Sequence, residues 1–132
     1  IDIGEAIKAV LQPYDRDGAR LSMQGTSVRM QFTIISVVGL VLHELAANAT
    51  KHGAWTNDGG KVIVDWQLAD DGRALSITWD EMGGPNVDEA IIEAGTGTAI
   101  VDRLLKSSQG TIERNWNESG LRAVVSVPVK AG

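Results

Sequence analysis

Five polar side chains stand in or at the end of one apolar run: His43, Glu44, Asn48, Lys51 and His52, within LVLHELAANATKHGAW at residues 40–55. The step of four from Glu44 to Asn48, and the steps of three and four from Asn48 to Lys51 and His52, stack them along one helical face, each a turn above the last. A carboxylate, an amide and a cation are thus aimed at one place. Burying such a group without a partner costs about 1–3 kcal/mol. Either protein or ligand must satisfy the stripe, unless it is simply a solvated face of a surface helix. Asn48 fits the solvated reading least, because an amide in an Ala-rich helix costs helix propensity without structural return.

Glycines supply the second constellation. TWDEMGGP at residues 78–85 ends a strand in Gly83, Gly84 and Pro85, and GTGTAI at residues 95–100 leads through Gly95 and Gly97 into a helix. Glycine lets a backbone approach a ligand closely, so the segment between these clusters is a candidate binding loop or lid. A helix N-terminus offers free N–H groups and about half a positive charge, which favours phosphate oxygens, even a triphosphate, on an acidic protein. A dinucleotide fingerprint is excluded, since Ile100 stands where a third glycine is required and no βαβ unit surrounds it. A Walker loop is excluded because no Gly-Lys-Ser/Thr triplet occurs. Alone, GTG before a helix is weak evidence and reads better as a simple tight turn.

The elements that must position these groups follow from hydrophobic period. Ile3, Ala6, Ile7, Val10 and Leu11 give a first helix over residues 3–11, ended by Pro13. Residues 21–23 and 28–30 read as two short strands, and the central helix runs from about Thr33 to His52, closed by Gly53. Val62, Val64, Trp66 and Leu68 alternate, as do Leu75, Ile77 and Trp79, which predicts an antiparallel hairpin turned at residues 70–73. A weakly helical stretch at 87–94 precedes a helix over 98–106, and a last hairpin pairs 111–116 with 123–129 around a turn at 117–120. This order predicts an α+β fold: a two-layer α/β sandwich, with a mixed, mostly antiparallel sheet and the helices on one face.

Composition narrows the function classes. The 132 residues suit one domain, and 43 % hydrophobic with 22 % charged residues is ordinary for a globular protein. There is no cysteine, hence neither a disulfide framework nor a thiolate metal site. A formal charge of −5 argues against a nucleic-acid partner. No apolar run is expected to span a bilayer, since His43 and Glu44 soon interrupt the one beginning at Ile34. Membrane contact is therefore not expected, and a cytoplasmic location is. Because the chain opens at Ile1 without an initiator Met, it reads as one domain of something longer.

In combination, HELAANATKHGA, TWDEMGGP and GTGTAIVDRLL resemble the N box and the two glycine boxes of the ATP-binding catalytic domain of sensor histidine kinases. That domain has the Bergerat-type fold of the GHKL superfamily, shared with DNA gyrase, a class of heat-shock chaperones and the mismatch-repair ATPases. His43, Trp79 and Glu81 stand where the HWE subfamily has its signature residues. The resemblance runs from about Pro13 to Val129, with the boxes in order.

The resemblance implies a protein-histidine kinase with ATP and Mg²⁺ as cofactors. Asn48 would ligate the Mg²⁺ and Glu44 would reach it through water, or orient the nucleophile; Lys51 would join them as a catalytic cation. ATP contacts would come from Asn48, Lys51, His52, Asp80 or Glu81, Gly83, Gly95, Thr96, Gly97 and Thr98. Either carboxylate, Asp80 or Glu81, could accept from the adenine amino group. The partners implied are a phosphoacceptor His domain, of the same protein or a dimer partner, and a response regulator.

The family's F box is not recognisable, and His43 and His52 are both absorbed by the N box, so no acceptor histidine is present. A degenerate scaffold that docks a response regulator and an anti-sigma-type Ser/Thr kinase are the alternatives. Local packing or solvation competes with the assigned roles at four positions. His43 could merely anchor its helix, Trp79 could be core, and Asp80 and Glu81 could be solvated acids. The lid is expected to be mobile without nucleotide.

Overall fold

A computed structural model describes residues 1–15, 20–84, 96–118 and 120–129, with only the backbone of Thr96 and Gly97. The expectations about the lid at 85–95, including its helical stretch, its mobility and Gly95, lie outside the described residues.

Three α-helices lie against a sheet of five strands among the described residues. Helix α1 (Ile3–Leu11) starts at Asp2, whose Oδ2 accepts from the Glu5 N–H at 3.0 Å, a capping bond that satisfies one free donor of the first turn. Ser27 Oγ donates to the other oxygen at 2.8 Å, and this bond above all holds the Asp2 carboxyl below its usual range. A 3₁₀ turn (Gln12–Tyr14) follows α1, its Pro in the first turn where no N–H is needed. Then come β1 (Leu21–Gly25), α2 (Phe32–Lys51), a second 3₁₀ turn (Ala54–Thr56), β2 (Lys61–Ala69), β3 (Ala74–Met82), α3 (Thr96–Ser107), β4 (Thr111–Asn117) and β5 (Gly120–Pro128).

The strand order is β1-β2-β3-β5-β4, with β1 parallel to β2 and every other pair antiparallel. This is the mixed, mostly antiparallel sheet expected. Period-2 alternation decides which face meets the helices: Val62, Val64 and Trp66, Leu75, Ile77 and Trp79, and Leu121, Ala123, Val125 and Val127 are all buried. Helix α2 lies between α1 and α3 and buries Ile34, Val37, Val38, Val41, Leu42, Leu45, Ala46 and Ala49. At 20 residues with mean hydropathy 1.6, it has the length and composition of a membrane span. The expectation that no apolar run reaches that length is therefore corrected: His43 and Glu44 do not lower the average enough. Burial of one whole side of α2 makes it the core helix of this domain.

Two other expectations change. Residues 28–30 form no strand. Their backbone meets the N-terminal segment instead, with Ile3 N–H donating to Val28 O and Met30 N–H to Ile1 O, and a single bridge between Asp2 and Arg29. A segment that short, tied to a helix cap, has no neighbour with which to extend a ladder. Helix α3 begins at Thr96, two residues earlier than expected, so Gly97 lies inside its first turn. An Arg114–Asp102 ion pair of 2.9 Å joins α3 to β4, and its exposure limits it to about 1 kcal/mol or less.

Candidate functional site

The polar stripe forms on α2, and among the described residues it has no protein partner. Glu44 and Asn48 are half-buried on α2, and Lys51 and His52 are exposed at its C-terminal end. None of these four side chains has a hydrogen-bond or ion-pair partner among the described residues. The Lys51 charge is favourably placed in the last turn, against the negative end of the helix. Beyond it the chain reverses tightly: His52 and Gly53 N–H groups both return to Asn48 O, at 2.8 and 3.1 Å.

That reversal meets Glu81. The Ala54 N–H donates to Glu81 Oε1 at 3.0 Å and the Trp79 indole N–H to Oε2 at 2.9 Å. Glu81 is 3 % exposed, which overturns the reading of it as a solvated acid. Burial pushes its carboxyl above the ordinary value of 4.5, against the two N–H groups that favour the charged form, with the neighbouring Asp80 charge pushing it further up. Asp80 belongs elsewhere. Strand alternation turns it to the other face of the sheet, beside Arg122, where it lines a shallow hollow with Glu81, Met82, Asn117 and Glu118. Of the two carboxylates, Glu81 is the one bonded to the turn that ends α2.

Close backbone approach explains the glycines. A Cβ on Gly53 would collide with Glu81 Oε1, and one on Gly60 would collide with the carbonyl oxygen of Ala54. Gly83 holds φ of 72°, a conformation glycine adopts without strain, and its carbonyl accepts from Asn57 Nδ2 at 3.0 Å. Gly60→Ala is expected to cost about 1–3 kcal/mol, because the obstructing atom is backbone and the turn itself must move. Chemical denaturation reads the loss. A stability within 0.5 kcal/mol of wild type would show that the turn yields freely.

The three signature positions touch through residues that belong to no box. His43 Nδ1 is hydrogen-bonded to Tyr14 Oη at 3.0 Å. Tyr14 stacks on Trp55, with ring centroids 5.7 Å apart and planes 12° from parallel. Trp55 in turn meets Trp79 edge to face at 5.9 Å. Arg20 secures Trp55 from its backbone, donating from Nη2 to Trp55 O at 2.7 Å and accepting the Trp55 indole N–H on its own carbonyl at 3.0 Å. His43 is exposed, so its anchoring bond is not a buried one, while Trp79 is fully buried core as its alternation required. Tyr14, Arg20, Trp55 and the Ala54 N–H carried no sequence signal, since each acts only by meeting a residue far along the chain. Thr98 is buried in the first turn of α3, where the first N–H groups of a helix lack intrahelical partners.

Among the described residues no three His, Cys, Asp or Glu side chains converge to make a protein cage for a metal ion. Mg²⁺ needs no such cage, since it is commonly held by one or two side chains together with phosphate oxygens and water. The unpartnered Asn48 amide and Glu44 carboxylate fit that requirement.

No family model matches the chain. It is 34 % identical to blue-light-activated histidine kinase 1 of Erythrobacter litoralis, over 98 % of this chain and 36 % of that protein. It is 30 % identical to a blue-light-activated histidine kinase of Rhizobium johnstonii, over 97 % of this chain and again 36 % of the relative. The chain thus spans about a third of the length of these curated relatives. Its structure superposes on the histidine kinase domain of the Erythrobacter litoralis EL346 blue-light-activated kinase with TM-score 0.78 at 18 % identity, covering 96 % of this chain and 59 % of that one. The catalytic domain of the histidine kinase ThkA matches with TM-score 0.74 at 17 % identity, covering 100 % of this chain and 97 % of that one. The chain is therefore a homologue of the histidine kinases that carries the fold of their catalytic domain.

Proposed function

We propose that this chain is the single ATP-binding catalytic domain of a longer, HWE-type sensor histidine kinase of the cytoplasm. It binds ATP with Mg²⁺ and donates the γ-phosphoryl group to a histidine on a phosphoacceptor domain, from which a response regulator takes it. The observation that carries this reading is the Glu44–Asn48 stripe, half-buried and without protein partners among the described residues, ending in the turn that holds Glu81.

Each side chain then has one task. Asn48 Oδ1 is the protein ligand for Mg²⁺, which when bound neutralises charge between the phosphates. Glu44 holds water at that metal or accepts the imidazole hydrogen bond of the incoming histidine. Lys51 and His52 contact phosphate from the C-terminal end of α2, the Lys as a point charge. Glu81 accepts from the adenine amino group, a lone pair on each oxygen remaining beside the bonds from Ala54 and Trp79. Gly83 lets the backbone pass the base, and the start of α3 with Gly95, Thr96, Gly97 and Thr98 faces phosphate. Transfer forms a bond from an imidazole nitrogen to the γ-phosphorus and breaks the bond to the bridging oxygen, releasing ADP. An imidazole needs little help from a base, so positioning and charge neutralisation dominate.

Calorimetric titration of ATP, with and without Mg²⁺, tests this directly. Mg²⁺-dependent binding is expected, followed by phosphoryl transfer when the parent protein's acceptor domain is added. A folded chain that binds no ATP would overturn the proposal.

A further inference from the structure

The three residues of the HWE signature lie far apart in sequence, yet a single line of contacts joins them. It runs from His43 to Tyr14 by a hydrogen bond, from Tyr14 to Trp55 by stacking, from Trp55 to Trp79 edge to face, and from the Trp79 indole N–H to Glu81. Glu81 takes its second bond from Ala54, the residue adjoining Trp55. Both donors on the carboxylate are thereby fixed by the same aromatic stack. We propose that Tyr14 and Trp55 are positioning residues for base recognition: with His43 and Trp79 they hold the Glu81 carboxylate in the orientation that accepts an exocyclic amine, and so set the preference for adenine. The inference rests on the reading of Glu81 as the adenine acceptor.

Physical reasons favour orientation over mere packing. A glutamate has three rotatable bonds, and nothing in an apolar core fixes its terminal carboxylate plane. Two N–H donors, one on each oxygen, do fix it. The Trp79 indole can present its N–H in only one ring orientation, which the Trp55 edge contact selects. Trp55 is in turn held by Tyr14 on one of its contacts and by Arg20 through two hydrogen bonds and a guanidinium 5.6 Å from its ring centre. Tyr14 lies on the 3₁₀ turn after α1 and would be free to swing, but its hydroxyl is tied to His43 on α2. A filler of the core would need none of these polar ties.

The discriminating readout is base preference, measured as the ratio of Mg²⁺-ATP to Mg²⁺-ITP affinity, with Mg²⁺-tripolyphosphate as the phosphate-only probe. ITP replaces the adenine amine by a carbonyl oxygen, which a fixed carboxylate repels. Trp79→Phe keeps a ring against Trp55 and deletes the indole donor; it is expected to lower the ATP-to-ITP ratio about fivefold or more, leaving tripolyphosphate binding unchanged. Tyr14→Ala is expected to lower the ratio too, and Tyr14→Phe, which keeps the stack but loses the tie to His43, to lower it by a smaller factor. Should Trp79→Phe not fold, the Tyr14 pair carries the test from a half-buried position outside the sheet. Glu81→Gln separates the two levels. If it leaves the ratio unchanged, the reading of Glu81 falls and this inference with it. If it collapses the ratio while Trp79→Phe and Tyr14→Ala do not, only the positioning role is overturned.

Discussion

Asn48→Ala is expected to weaken ATP binding in the presence of Mg²⁺ while leaving the fold as stable as wild type, or slightly more so. Asn48 lies in the interior of α2, where alanine is the better helix former by up to about 0.7 kcal/mol. Its side chain makes no protein hydrogen bond that truncation would break among the described residues. The stability cost of losing it is thus near zero or negative. Function should respond in the opposite sense. A ligand to a charged centre is worth about 1.5–3 kcal/mol, so affinity in the presence of Mg²⁺ should fall by about ten- to a hundredfold. Affinity in the absence of Mg²⁺ should barely change. Denaturation curves beside paired titrations check both halves. A variant that unfolds earlier but keeps its Mg²⁺ dependence would make Asn48 a structural residue and remove the metal from α2.

This opposition explains why Asn48 was legible in the sequence and Tyr14 was not. A residue that lowers helix propensity and has no apolar reason to be present announces itself from local physics. Strand alternation was equally informative: Val62, Val64 and Trp66 opposite Leu75, Ile77 and Trp79 gave the hairpin, its buried face and the burial of Trp79. The same alternation separates Asp80 from Glu81. Trp79 points to the helices, so Glu81 does and Asp80 does not. What stayed hidden depends on which distant segments meet. The parallel pairing of β1 with β2 and the docking of residues 28–30 on the N-terminus follow from no local pattern. The contact of Tyr14 with His43 and the fit of Gly60 under Ala54 belong to the same class, being properties of the assembled sandwich. The length of α2 was misjudged for a related reason: two polar residues interrupt an apolar string, but a helix averages hydropathy over its whole length.

Glu81→Gln is expected to destabilise the domain most in acid and progressively less as pH rises. Both groups that reach Glu81 are donors, the Ala54 N–H and the Trp79 indole N–H. A glutamine offers one acceptor and one donor, so one buried N–H loses its partner, at a cost of about 1–3 kcal/mol. Wild-type Glu81 has its own penalty, since burial raises its pKa in the folded state above the ordinary 4.5. Below 4.5 both folded and unfolded chains carry the proton, and the contribution of this group is complete. Between 4.5 and the raised value only the folded chain does, so wild-type stability falls as pH rises, by at most about 1.4 kcal/mol per pH unit. The glutamine variant lacks this slope, and the difference between the two curves isolates Glu81 from every other carboxylate. A gap that widens with pH would mean that the two N–H bonds outweigh burial. The same proton couples to the ligand. An ionised carboxylate is the stronger acceptor for an adenine amine, so ATP binding in this window favours release of the proton, and ATP affinity should climb with pH up to the raised pKa. ITP, which brings no amine, should show no such climb. A matching rise for both nucleotides would assign the pH dependence to the phosphates and detach Glu81 from base recognition.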